Sequence, residues 1–346
     1  MEVTREFLES LQSFKSEGDY RDSPSLNYST LKQIPLGPKC LIAERKELDS
    51  PAINIGSYAD AYFTNRDELS DLFYVERSDI QLTDSMMAIY LELASRNMLE
   101  PSKDEVVEVC REIGVYSSIK DDEKVKAKIT DDLLRKLSEL KDSMGKKVIT
   151  SDEYNQAMIA ISNITNIPAT MAMISESEDE IIIDQFKYEF SLLIENTRRM
   201  FRIMIDKLKF NKKTKRITII DIKTGKAHPM NFGKQFADNR YDIQAVLYYM
   251  GVLRLISATP ELSGWTCLPE DFVFVYGSKI KSTGIIVHMT DDFMSNNDNT
   301  VTMCGTKYDG FMKILKDANW YITNQEFEVN RSIIENEYNF SIEYLI

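Results

Sequence analysis

Residues 198–225, RRMFRIMIDKLKFNKKTKRITIIDIKTG, hold two runs rich in β-branched and aromatic residues, FRIMIDKLKF and RITIIDIKTG, joined by the polar turn NKKTK. Such runs predict consecutive strands. An antiparallel hairpin centred between Lys213 and Thr214 pairs residues whose numbers add to 427. Asp206 then faces Asp221, and neighbours across such a ladder stand about 4.5–5.5 Å apart. Side chains alternate along a strand, so Asp221 and Lys223 share one face while Ile220 and Ile222 point to the other.

Two carboxylates held that close repel and raise each other's pKa unless a cation sits between them. Hard oxygen ligands suit Mg2+ or Mn2+, which leave positions for water and phosphate oxygens. Lys223 can orient or deprotonate an attacking water, because a nearby positive charge and partial burial are expected to lower its pKa. The set supports metal-assisted phosphodiester hydrolysis.

Downstream, YDIQAVLYYMGVL reads as a helix with an apolar stripe of Ile243, Val246, Leu247, Met250 and Leu253. Gln244 and Tyr248, spaced i, i+4, share another face. The amide can hydrogen-bond a metal-bound water or a phosphate oxygen. Tyr248 reads either as a packed helix residue or as a contact to DNA.

Further outward, the period of the sequence divides the chain. Residues 1–26 are polar and predict a flexible lead-in. LNYSTLKQI predicts a short helix start capped by Ser29 or Thr30, and a glycine opens a helix in INIGSYADAYFTN. Over 84–163, DSMMAIYLELASRNML, SKDEVVEVCREIGV, ITDDLLRKLSELKDSM and SDEYNQAMIAISNI show helical spacing, with SSIKDDEKVK a solvent-facing connector. A mainly helical insertion is therefore expected over about 66–180. The catalytic sheet is expected over about 181–290, from EIIIDQFKYEFSLLI through the hairpin to DFVFVYGSK and TGIIVHMT. GFMKILKDANWYIT predicts a last amphipathic helix.

The 346 residues, 43% of them hydrophobic, suffice for one large core. No apolar run has the ~18–20 residues that span a bilayer, and the charged N-terminus is no secretory signal. The expectation is a cytoplasmic protein, in the bacterial host if phage-encoded. The net charge of −13 argues against nonspecific coating of nucleic acid, yet Arg198–Lys226 holds eleven Lys or Arg and only two acids, Asp206 and Asp221. That asymmetry suggests a phosphate-binding surface around a cation site. Lys212, Lys213, Lys215 and Arg216 read as a solvated turn, or as a turn at the mouth of the site that touches phosphates. His228 and His288 lack partners at ligand spacing and read as structural. The four cysteines are scattered, which predicts reduced thiols. No GxxxxGK[ST] is present, so any helicase activity belongs to a partner.

The run MIDKLKF…ITIIDIKTG followed by Gln244-xxx-Tyr248 resembles the RecB/RecE-type branch of the PD-(D/E)xK nucleases. That branch carries an aspartate on one strand, D/E-x-K with Thr-Gly on the next, and Q-x-x-x-Y on a helix. YSTLKQI resembles its early Ser-x-Leu helix, and IGSYADAY its Gly-Thr/Ser-x-x-His helix. VITSDEYNQAMIAISNITNIPATMAMI resembles a helix before the first core strand of phage RecE-like exonucleases. The likeness runs loosely over about 27–290 and sharply over 204–225 and 241–251. Asp60 departs from the pattern, standing where many members place a metal-binding histidine. The cysteines do not cluster as in members with an iron–sulfur centre.

The resemblance implies an α/β restriction-endonuclease-like core, a central mixed β-sheet flanked by helices, within a single domain over 27–346. It implies a Mg2+- or Mn2+-dependent DNA exonuclease that resects a duplex end for a single-strand annealing protein. Asp206 and Asp221 would hold the metal with Asp60 and the Ile222 carbonyl. Lys223 would position the water and Gln244 would assist. Thr224, Tyr248, Lys212, Lys213 and Lys215 are the candidate DNA contacts. A structure-specific endonuclease, a non-catalytic DNA-binding or virion protein on the same core, and an RNA endonuclease are the other readings.

Overall fold

The computed structural model describes residues 3–43, 50–76, 80–281, 283–295 and 297–336. The chain forms two compact units, Arg66–Asn155 and the remainder, Met1–Asn65 with Gln156–Ile346. The last ten residues of the expected core domain lie outside the described residues.

In the smaller unit, β1 (Phe73–Val75) pairs in parallel with β2 (Lys147–Ile149). The helices Asp84–Ser95, Lys103–Glu112 and Asp131–Ser143 follow the predicted periodicity, burying Met86, Ile89 and Leu93, then Val106 and Cys110, then Leu133 and Leu137. Ser102 and Glu105 close a capping box at the second of them. The connector expected to face solvent instead contains a helix, Asp122–Lys126, because Val125 supplies an apolar anchor that is fully buried. The unit ends near residue 155, short of the expected 180. From Gln156 onward the helices Ser151–Thr165 and Pro168–Ile174 belong to the larger unit, where Ile164 and Ile174 pack on Ile220, Ile222, Val273 and Val275.

The larger unit is built on a mixed sheet in the order β3-β4-β5-β6-β7. Its strands are β3 (Glu180–Ile194), β4 (Thr197–Asn211), β5 (Arg216–Gly225), β6 (Phe272–Ser278) and β7 (Gly284–His288). All pairs are antiparallel except β5–β6, which is parallel. The helix Tyr241–Ala258 lies on one face. Its Gly251 permits close approach, since a Cβ there would clash with Ile203 and Phe190. A hairpin of β8 (Thr300–Met303) and β9 (Thr306–Asp309) precedes the expected helix Phe311–Asn324.

Residues 1–26 are not a flexible lead-in over their described part. They form the helices Arg5–Ser10 and Glu17–Asp22, and Leu8 and Tyr20 are buried. The Ser13 amide donates to the Lys187 carbonyl at 2.9 Å, and Arg5 reaches the Ile182 carbonyl at 2.8 Å. Two well-placed apolar side chains outweigh the polar average. The helix Tyr28–Leu31 is capped by Asn27 rather than Ser29 or Thr30. The helix Pro51–Thr64 starts at Pro51 behind a Ser50 cap, so Gly56 is interior.

The sheet bends at one place. β3 and β4 keep one register throughout, but the pair Gln185–Asp206 is missing from the ladder, and Gln185 has a left-handed φ of 49°. Buried positions change parity across this point. On β3 they pass from Ile181 and Ile183 to Phe186 and Phe190, and on β4 from Phe201, Ile203 and Ile205 to Leu208 and Phe210. A left-handed residue in a strand swaps the faces to which the later side chains point. Asp206 sits at this break.

Candidate active site

The β4–β5 hairpin adopts the predicted register, with pairs from Lys207–Ile220 to Asn211–Arg216. Pairing stops one step before Asp206 and Asp221, where the two strands part. The Asp206 carboxylate instead accepts from the Ile222 amide at 2.7 Å. Asp221 is fully buried, with Lys223 Nζ 2.5 Å from its Oδ1 and the Gln244 amide donating to its Oδ2. The helix Pro51–Thr64 brings in Asp60, whose Oδ2 accepts from Gln185 at 3.0 Å. Asp60 is the tenth residue of that helix and so gains nothing from a helix-start dipole. Its buried Oδ1 has no hydrogen-bond partner.

The electrostatics follow from three acids sharing one lysine. Burial raises the pKa of Asp221, against the pull of Lys223 and Gln244. Burial and then the charges of Asp221 and Asp60 raise Asp206 well above the carboxylate range. Burial and Asp221 push Asp60 up to about 6, with Lys223 and Gln185 opposing. For Lys223 burial acts downward, but Asp221, Tyr241 and Asp206 outweigh it and the pKa is raised. Its ammonium also lies 4.8 Å from the centre of the Tyr241 ring. The expected depression of the Lys223 pKa is therefore reversed, and the lysine stays charged at neutral pH. In that form it can orient a water or neutralise a phosphate oxygen.

Gln244 and Tyr248 do share a helix face, but that face is buried rather than open to a ligand. Tyr248 lies within the core, 6.5 Å from the Phe272 ring centre, and burial raises its phenol pKa far up. The helix is enclosed on several sides, so Val252 and Leu255 are buried while Leu253, expected in the stripe, is exposed. Tyr248 is thus a packed residue and not a surface contact for DNA. Thr224 is half-buried, and its carbonyl accepts from Gln235 at 3.2 Å.

Lys212, Lys213 and Lys215 are exposed on the turn, at the opposite end of the hairpin from the acids. Six or seven residues of strand at about 3.3 Å each put them roughly 20 Å away. They do not form the mouth of the site. The basic surface inferred from Arg198–Lys226 is only partly a surface: Arg198, Lys212, Lys213, Lys215 and Lys226 are exposed, but the others are buried or half-buried. Lys207 pairs with Asp184 at 2.6 Å, Lys209 with Glu180 at 3.2 Å and Arg216 with Asp271 at 2.7 Å. Arg199 binds Asn319, and Arg202 is buried against the Ser23 carbonyl and the Tyr20 ring. His228 and His288 make backbone contacts at the surface.

Sequence reasoning missed Gln185 and the pair Arg240–Asp242. Gln185 steadies Asp60 and Thr64, and its one signal was the interrupted alternation of IIIDQFKYEF. Arg240, with a left-handed φ of 56°, forms a buried ion pair with Asp242 and donates to the Asp309 carbonyl, which sets the start of the Gln244 helix.

The donor chemistry fits a hard cation, with three clustered carboxylates, a single lysine and an orphaned oxygen on Asp60. Among the described residues, however, no three of His, Cys, Asp and Glu are disposed to hold a metal ion. Lys223, Gln244, the Ile222 amide and Gln185 each lie against a carboxylate oxygen of the cluster. Neither models of known protein families nor curated proteins match the chain.

Proposed function

We propose that the chain is a metal-dependent DNA nuclease on a restriction-endonuclease-like core, acting as an exonuclease on duplex ends. One observation carries this reading. The register of β4 and β5 delivers Asp206 and Asp221 to the point where the strands part, with Lys223 and Gln244 bound to Asp221 and Asp60 close enough to share their field. Buried acids of one sign cost stability unless a cation joins them, so the cluster has no evident purpose as packing.

Asp60, Asp206, Asp221 and the Ile222 carbonyl would hold Mg2+ or Mn2+. The ion would polarise the scissile phosphate and make a bound water more acidic. Lys223, charged, would orient that water and offset charge gathering on the phosphate. Gln244 would hold Asp221 in its rotamer, and Tyr241 would hold Lys223 from the other side. End resection feeding a single-strand annealing protein is the role that the resemblance to RecE-like enzymes suggests.

The test is digestion of linear and covalently closed duplex with Mg2+, Mn2+ or EDTA. Metal-dependent loss of linear DNA alone supports the exonuclease. Cutting of the closed circle turns the reading to an endonuclease. One observation favours a second reading, a non-catalytic DNA-binding member: the oxygens a metal would need are already held by protein donors. DNA binding without cleavage under any metal would select it.

A further inference from the structure

Beyond the acids, β5 and β6 run parallel and end together, with Gly225 beside Ser278. The ladder continues one step further, since the Lys279 amide donates to the Gly225 carbonyl at 2.8 Å. This places Lys226 and Lys279 side by side at the carboxyl ends of the two central parallel strands, where ligands commonly bind in α/β sheets. The segment is firmly built. Asn163 Nδ2 donates to the Ser278 carbonyl at 2.7 Å and also bonds the Lys281 carbonyl. Ser278 Oγ accepts from the Ile280 amide at 3.3 Å and the Lys281 amide at 3.0 Å.

Lys279 is only 5% exposed, whereas Lys226 is open to solvent. Burial lowers the Lys279 pKa, and the charge that then bears on it is that of Lys226, a like charge. On the hairpin, Lys207, Lys209, Arg216 and Lys223 each have an acid. Two lysines set on neighbouring strand ends, with no ion pair to an acid among the described residues, are unfavourable by themselves and favourable around an anion.

We propose that Lys226 and Lys279 bind a non-reacting backbone phosphate of the nucleic-acid strand whose scissile phosphate lies at Asp206, Asp221 and Lys223. This rests on the nuclease reading for the identity of the anion. Lys226 follows Lys223 by three residues, roughly 10 Å at strand rise; this odd spacing turns it from the face of Lys223, so the phosphate would be reached round the end of β5, one to two nucleotides along the strand. The two lysines are positioning residues: they would hold the strand in register and take no part in bond breaking.

The experiment measures binding of a fluorescein-labelled duplex with a recessed end to the full chain in EDTA, over a series of salt concentrations. Cleavage of the same duplex is measured in Mg2+. The variants are Lys226→Met, Lys279→Met and the double substitution, because methionine keeps the buried stem and removes only charge. The double variant should bind roughly tenfold more weakly, with the salt slope reduced by about 1 per lysine. KM should rise with kcat within twofold, and Lys279→Arg should recover most of the binding. A merely structural lysine would not change the salt slope. Variants that melt as wild type and keep its affinity and slope overturn the assignment while leaving the nuclease intact. A wild type that binds but never cleaves, with the variants still defective, removes the nuclease reading and keeps the lysine pair. A wild type that neither binds nor cleaves removes both.

Discussion

At one end of the β4–β5 hairpin, Lys212, Lys213 and Lys215 stand in solvent around a tight turn in which Lys215 takes a left-handed φ of 54°. At the other end, where the strands part, Asp206, Asp221 and Lys223 are drawn together beneath the Gln244 helix. The turn holds more charge per residue and the open end far more interaction per charge. Exposed charges are screened and worth little, whereas charges at the open end act through protein and move one another's pKa. Density of basic residues along a chain therefore marks neither a surface nor a site. What marks the site is the place where backbone pairing stops and polar side chains must be satisfied by one another.

On the nuclease reading proposed above, the largest contrast between the two ends should appear in cleavage. Asp221→Asn or Lys223→Met at the open end should lower the rate of duplex cleavage at least about 100-fold. The joint change of Lys212, Lys213 and Lys215 to Ala at the turn should leave it within about twofold. Single-turnover rates with circular dichroism as a folding control measure both, and comparable losses at the two ends would erase the distinction. Within the open end, the raised pKa of Lys223 predicts that its charge matters and its basicity does not. Lys223→Arg should then be at least about tenfold more active than Lys223→Met, although arginine never serves as a base. Equal inactivity of the two would restore a proton-transfer role.

Stability should respond next. The Asp60 carboxyl is raised from 3.8 to about 6 in the folded chain. A carboxyl shifted this way favours the folded state while protonated, and that advantage is lost as pH rises through the folded value. In EDTA at about pH 7.5, Asp60→Asn should therefore be more stable than wild type by about 1–2 kcal/mol, and the gap should close near about pH 4. Mg2+ should stabilise wild type more than the variant. Urea titrations at the two pH values check the sign, and a variant less stable at neutral pH would show that Asp60 is held by its Gln185 bond and not strained by its neighbours. The smallest effects belong to groups outside the two ends. Tyr248→Phe should cost about 1 kcal/mol of stability and leave DNA affinity unchanged in a binding titration. A Tyr248→Phe variant that binds measurably more weakly would bring the phenol back to the interface.

Much of this was written in the residues. The alternation of FRIMIDKLKF and RITIIDIKTG determined two strands and their polar turn determined the register, which brought Asp206 and Asp221 to the same end of the hairpin; that the strands part there, so that the two do not pair, was not legible. Helical spacing likewise located Asp84–Ser95, Lys103–Glu112, Tyr241–Ala258 and Phe311–Asn324. These features are local, since they depend on neighbours a few residues apart. Tertiary structure decided the rest. The docking of Leu8 and Tyr20, the burial of Tyr248, the internal pairing of Lys207, Lys209 and Arg216, and the bend at Gln185 all depend on elements far apart in the chain. So does the charge state of Lys223: the sequence suggested a lysine lowered by positive neighbours, but only packing reveals that Asp221, Asp206 and Tyr241 surround it. Periodicity reports which way a side chain points from its own element. The partners it meets there, and therefore its charge and its chemistry, are settled by the elements that pack against it.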